Sequence, residues 1–395
     1  MKNRKVLIIA SAVVAVILIA GIALLLGKET DVDKYRRTAE GQFEDPTRRL
    51  EEMAATDALV TYEQVLTDYK KWAQYPPGSR PLRPEYTDVI EPHKIPVPYQ
   101  MMPVPDGKDG LKAGKFQCRL QPAEHTVTEG EAMEILLSCQ DPETANDPRA
   151  AQGTEIRVES MELVRYLDTK TWPVAEPETK PGTQANSFTT TFVFRPKRDD
   201  WGNMDFAVKF KLPAEGSGFV HELKTHFFSS PLAPAQFTGN FRERTENGSL
   251  VISAELDVRM PGRYEVQANL FAQDETPIGT SKVYQKLTGG RQFVDLLFFG
   301  KLFYDQGLAG LYILMGLHGL QDTDPLDPEK LSGPADEVEK MIQNARTTEP
   351  NRRVIPRFKG KFVTQPYSLN DFSQSEYDSP EKQERIQELG KLAGQ

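Results

Sequence analysis

The chain has little of what most chemistry needs. Its 395 residues hold five histidines and two cysteines. A histidine-based triad would have to draw on His93, His125, His221, His226 and His318 alone. A zinc-protease helix sets two histidines four apart, so that both imidazoles share one face. His221 and His226 are five apart in a strand-like stretch, and strand alternation sends them to opposite faces. Ser138-Cys139 and Ser229-Ser230 lack the setting of a nucleophile elbow. No phosphate loop or dinucleotide fingerprint occurs; Gly289-Gly290 and 307–310 read as turns. Positive charge is also short, with 48 Lys and Arg against 57 Asp and Glu for a net charge of -9. That balance argues against a nucleic-acid binder, which needs a basic face, and against adhesion to anionic lipid beyond a membrane anchor itself.

What the chain does have is one long apolar run. From Val6 to Leu26 no residue is charged, and Lys2, Arg4 and Lys5 stand in front of it. As a helix at about 1.5 Å per residue the run spans roughly 31 Å, the thickness of a hydrocarbon core. The basic start predicts a cytoplasmic N-terminus, with everything after Lys28 across the membrane. A cleaved signal peptide is the rival reading, but its apolar region is usually about 7–15 residues and ends at a small-x-small site. Gly21-Ile22-Ala23 is the one loose candidate for such a site, and the run continues past it. With so little chain ahead of the run, no cytoplasmic signalling domain is expected. No cysteine stands at a lipobox position.

Cys118 and Cys139 both fall in the part placed outside the cytoplasm, where disulfides persist. Both also lie in strand-like stretches of one predicted domain, so a bridge is expected. It would close a loop of about 20 residues, worth about 3 kcal/mol in the chain-entropy model.

Six regions follow from pattern and punctuation. Residues 1–28 are the cytoplasmic start and anchor. Residues 29–75 form a helical stem, with Asp45-Pro46 as N-cap and first turn, ending at Pro76-Pro77-Gly78. Residues 76–113 are a proline-rich spacer, with nine prolines between 76 and 105. These favour extended, polyproline-like backbone, either as a semi-rigid spacer or laid across a domain surface. Residues 114–233 alternate with period two and predict strands at 116–120, 132–138, 155–166, 187–195, 204–212 and 219–228. A second β unit, 234–323, predicts strands at 235–244, 249–258, 262–272, 276–286, 292–299 and 311–320. Asn247-Gly248 marks a tight hairpin between two of them; with Ser249 it also forms a glycosylation sequon. The apolar stretch 293–317 is read as two buried strands rather than a second span, because Asp295, Lys301 and Asp305 would each cost about 3 kcal/mol at depth. The tail, 324–395, carries a short helix after Pro334, an extended piece with contacts at Phe358, Phe362 and Tyr367, and a final helix capped by Ser379-Pro380.

In the second unit, Gln236-Phe237-Thr238-Gly239, Gly262-Arg263-Tyr264-Glu265-Val266, Ala268-Asn269-Leu270, Pro277-Ile278, Phe298-Phe299-Gly300 and Gly310-Leu311-Tyr312 resemble repeats of bacterial envelope proteins. Those proteins carry tandem immunoglobulin-like β-sandwich modules, and this unit looks most like their choice-of-anchor type. A Gly-Pro-Tyr is usual near the last strand of that type, and the middle position here is Leu311. The first unit, with His125-Thr126-Val127-Thr128-Glu129-Gly130-Glu131 leading into a strand and Trp201-Gly202 before another, is similar to immunoglobulin-like modules generally. The resemblance implies a structural or adhesive role and no catalytic residues.

Two acidic loops remain as cation candidates. Asp322, Asp324 and Asp327 follow one strand, and Asp141, Glu143 and Asp147 another; loops at sandwich ends often supply oxygens to calcium. Aspartate and proline are also plain turn formers. No other cofactor is expected. The fold class is mainly β: an N-terminal transmembrane helix, a short helical stem, two immunoglobulin-like β-sandwiches and short C-terminal helices. The functional expectation is a non-enzymatic, single-pass protein of the inner (cytoplasmic) membrane, its bulk periplasmic or extracellular, holding an envelope protein partner at a set distance. The alternatives are an envelope carbohydrate-binding protein or hydrolase using a cleft between the β domains, and a secreted surface adhesin.

Overall fold

A computed structural model describes residues 61–94, 96–108, 110–143, 155–167, 170–179, 189–216, 218–323, 333–344 and 350–394. The expected anchor, Val6 to Leu26, and the first part of the stem lie outside the described residues. Among those described, no helix is long and apolar enough to cross a membrane. The chain divides into two compact units, one running from Gln74 to Tyr377 and the other combining the residues up to Ala73 with those from Asp378 onward.

The smaller unit pairs two helices, Tyr62–Trp72 and Pro380–Ala393, from opposite ends of the chain. The first starts at Tyr62 behind an extended Thr61, a cap that the sequence reading did not name, and the second starts behind Ser379-Pro380 as expected. The Thr61 hydroxyl accepts from the Gln64 amide, and the Ser379 hydroxyl accepts from the Lys382 amide ahead of Pro380. These caps satisfy amides that the first helical turn leaves unpaired.

The larger unit is mainly β and holds two hydrophobic cores, each enclosed by two sheets. The first sandwich uses β2 (Gln100–Pro105), β3 (Leu111–Pro122), β4 (Thr126–Thr128), β5 (Met133–Gln140), β6 (Arg157–Leu167), β7 (Lys170–Pro173), β8 (Glu178–Thr179), β9 (Thr189–Phe194), β10 (Gly202–Lys211) and β11 (His221–Ser230). One sheet has the order β2-β3-β5-β9-β8 and the other β4-β11-β10-β6-β7. Alternation does the sorting here: Met204, Phe206, Val208 and Phe210 on β10 all point inward and are fully buried. Phe192 and Phe206 meet across the core with ring centroids 5.2 Å apart. Burying each ring contributes about 1.5–3 kcal/mol.

The second sandwich contains β12 (Ala235–Glu246), β13 (Ser249–Val258), β14 (Gly262–Ala272), β15 (Pro277–Leu287), β16 (Gly290–Phe298) and β17 (Tyr312–Asp322). Three further strands come from far away in sequence: β1 (Ser79–Pro81), β18 (Arg352–Ile355) and β19 (Phe362–Val363). The sheet orders are β12-β13-β16 and β1-β15-β14-β17-β18, with β19 also on β17. Asn247 and Gly248 both take positive φ, 50° and 70°, at the β12–β13 hairpin. Positive φ at both central residues matches the right-handed twist of paired strands.

One expectation needs correcting. The apolar stretch 293–317 is strand–helix–strand, with the helix Gly300–Gln306 between β16 and β17. Gly307 ends that helix with φ 65°. The helix forms because Leu302 and Phe303 drop into the core while Lys301 and Asp305 pair one turn apart at 3.0 Å. The proline-rich segment takes the surface-bound course. The Lys282 amide donates to Gly78 O at 2.8 Å, Asn269 Nδ2 to Val89 O at 2.7 Å, and β2 pairs with β3. Prolines suit such an edge, since they lack only the amide that an edge strand does not need.

Candidate functional site

The sequence-predicted residues divide by outcome. Cys118 and Cys139 form a disulfide. The two are register partners on adjacent strands, β3 and β5, so the bridge staples one sheet rather than joining the two. Asp322 ends β17 and is ion-paired with Arg263 at 2.9 Å. Asp324 and Asp327 lie outside the described residues, as does Asp147. Asp141 is buried and held by Lys115 at 3.2 Å, and its Oδ1 accepts from the Glu143 amide. Among the described residues, no group of three or more His, Cys, Asp or Glu is placed to hold a metal ion. His226 faces solvent, whereas His221 points inward and meets Glu215 at 2.9 Å.

A set of ion pairs lies along the seam between the two sandwiches. Arg259 reaches Glu129 at 2.6 Å, Arg357 reaches Glu124 at 2.9 Å, and Lys359 reaches Glu131 at 3.0 Å. The Val354 amide donates to Ser230 Oγ at 2.9 Å, and the Arg352 guanidinium sits 4.3 Å over the Phe228 ring. Burial lowers Arg352 from the usual guanidinium value. Burial pushes Glu131 up, but hydrogen bonds from Thr128 and Lys359 outweigh it and hold the carboxyl below its usual range. His93 and His125 also stand here, joined by a backbone bond from the His125 amide to His93 O. Both are pulled below the ordinary imidazole value, first by burial and then by Arg357 and Arg352 respectively.

Beside this seam is a cleft of about 310 Å³, lined among others by Arg198, Trp201, Leu232, Met260 and Arg353. Each wall is fixed by its own strands. On the first sandwich, Asp200 Oδ2 accepts from the Lys197 amide at 2.8 Å to form the turn. Arg165 donates to Asp199 O at 2.8 Å and stacks 4.6 Å from the Trp201 ring. On the second, Gln321 Oε1 accepts from Arg353 at 3.3 Å, while Gln321 Nε2 donates to the carbonyls of Met260 and Pro261. Two arginines, a tryptophan and the apolar side chains of Leu232 and Met260 thus line one space. Such a set recognises ligands that combine negative charge with a flat apolar face. Sequence reasoning singled out Trp201 only as a strand-start residue and missed both arginines. The turn sequence Lys197-Arg198-Asp199-Asp200 ahead of the tryptophan was the available signal.

The fold and its stapled sheet define a mainly β, disulfide-bonded, two-sandwich protein. Residues 234–328 match a domain family described as "Domain of unknown function (DUF4785) C-terminal domain". In structure, the chain is similar to a DUF4785 family protein from Legionella pneumophila, at 17% identity over 53% of this chain and 53% of that one, with a TM-score of 0.37. It therefore spans about half the length of that protein. It is also similar to a marsupial T cell receptor, at 9% identity over 47% and 97% of the two chains with a TM-score of 0.21. Domains from titin align at 11% identity over 57% and 61%, with a TM-score of 0.17. No curated protein matches the chain.

Proposed function

We propose that this chain is a membrane-anchored scaffold: an N-terminal helix in the cytoplasmic membrane presents two immunoglobulin-like sandwiches to an envelope protein partner in a periplasmic or exoplasmic space. One observation carries the reading. The sandwiches are tied into one compact unit by chain segments that cross between them, namely the proline-rich stretch and the tail. A spacer that must hold a fixed length gains from such rigidity, because flexible linkers let separation vary with chain entropy. The disulfide supports an oxidising compartment, and the apolar run with its basic flank supports the anchor. The role is binding rather than catalysis.

Affinity capture of the full chain from detergent-solubilised membranes tests this. A stoichiometric partner should be recovered, and lost when residues 378–394 are deleted. Recovery of the chain alone, or its release from membranes by carbonate, would remove the basis for a scaffold.

A further inference from the structure

The geometry points to a binding site for a small acidic sugar unit, a pyranose carrying a carboxylate, in the cleft between Trp201 and Arg353. The charge stands out first. In a chain of net charge -9, two arginines from opposite walls line one cleft whose acidic lining residue, Asp199, lies on the turn beside Arg198. No described residue pairs with the Arg198 side chain. Its guanidinium is available to a carboxylate, which it can grip through two parallel N–H donors.

The second point is shape. The Trp201 indole is held by Arg165 rather than left to rotate, and Leu232 and Met260 line the same hollow. Aromatic faces and aliphatic walls suit the C–H face of a sugar ring, while the guanidiniums suit its carboxylate. At about 310 Å³ the space takes a small ligand, at the low end of ligand pockets. The third point is preorganisation. Arg353 is set by Gln321, and Gln321 by two carbonyls of the 260–261 turn. The opposing turn is closed by Asp200. Arg353 and the turn therefore need little further ordering, and the unpaired Arg198 side chain is the part that a ligand must order.

The test uses the full chain with Trp72→Phe and Trp172→Phe, so that Trp201 alone reports by fluorescence. The probes are D-glucuronate, D-glucose and benzoate. D-glucuronate should shift the signal saturably, with D-glucose at least about tenfold weaker, as expected for loss of a charge-assisted pair. Arg198→Gln and Arg353→Gln should each weaken D-glucuronate about tenfold and leave the thermal midpoint unchanged for Arg198→Gln. Equal response to D-glucose, or no saturable response to D-glucuronate, overturns the site. Benzoate binding as tightly as D-glucuronate overturns the sugar assignment. Partner capture by the Arg198→Gln chain is expected to persist, so this site and the scaffold reading fail separately.

Discussion

Arg357 Nη2 stands 2.9 Å from Glu124 Oε1, although 233 residues separate them in sequence. The pair joins the C-terminal tail, which completes the second sandwich, to the first sandwich. Both side chains are about a third exposed or less, so water screens the pair only in part. Arg357→Ala should lower unfolding stability by about 1 kcal/mol, and a double-mutant cycle with Glu124→Gln should show that the two losses are not additive. Additive losses in urea titrations would mean that the pair contributes no coupling across the seam.

The bridge between Cys118 and Cys139 closes a separation of 21 residues. Replacing both with serine should cost about 3 kcal/mol. Mass spectrometry of the alkylated chain, with and without reductant, should show two thiols freed only by reduction. Labelling of both cysteines in the native, unreduced protein would contradict the bridge.

Stability should depend on pH through three histidines. His93, His125 and His318 are each held below the ordinary imidazole value of 6.5, with burial the leading cause. Around them stand Arg357, Glu124, Glu91 and Lys94 at His93, Arg352 and His226 at His125, and Glu265, Lys282 and Arg357 at His318. Below 6.5 the unfolded chain binds more protons than the folded one, so stability is complete above that pH and falls as pH drops toward and through the folded values. Glu131 and Asp295, both lowered, add a separate loss in the carboxylate range. Thermal midpoints between pH 8 and pH 5 should therefore fall toward acid, and His125→Gln should flatten the slope. A midpoint constant across that range would refute this account.

Glycine substitutions should separate close packing from mere flexibility. A Cβ at Gly300 would overlap the Gly248 carbonyl oxygen and crowd Ser373. The Gly300→Ala chain should lose about 1–3 kcal/mol or fail to fold. Gly390 is exposed within the helix Pro380–Ala393 and has nothing within 4 Å of a built Cβ. There the alanine should raise stability of that helix by about 0.5–1 kcal/mol, measurable by hydrogen exchange of its amides.

Most strands were legible because their signal is local. The predicted 249–258 and 262–272 coincide with β13 and β14, and the predicted 204–212 overlaps β10, where buried and exposed positions follow the two-residue period. The helix Gly300–Gln306 was missed because it is a single short element inside an apolar stretch, where periodicity cannot distinguish strand from helix. The cleft was illegible for another reason. Arg198 and Arg353 lie 155 positions apart by their numbering, and neither carries a motif; only the pairing of β18 with β17 brings the second to the first.

By itself the sequence determined the alternating strands of the first sandwich, the Asn247-Gly248 hairpin and the Ser379 cap. Each depends on neighbours within a few residues, so backbone sterics and side-chain spacing suffice to specify it. Only the tertiary structure decided that β1, β18 and β19 complete a sheet begun by other residues, that Arg357 meets Glu124, and that an indole and two guanidiniums share a hollow. Those contacts arise when loops close over long chain separations, and the free energy that holds them is burial and pairing between segments whose own sequences carry no mark of each other.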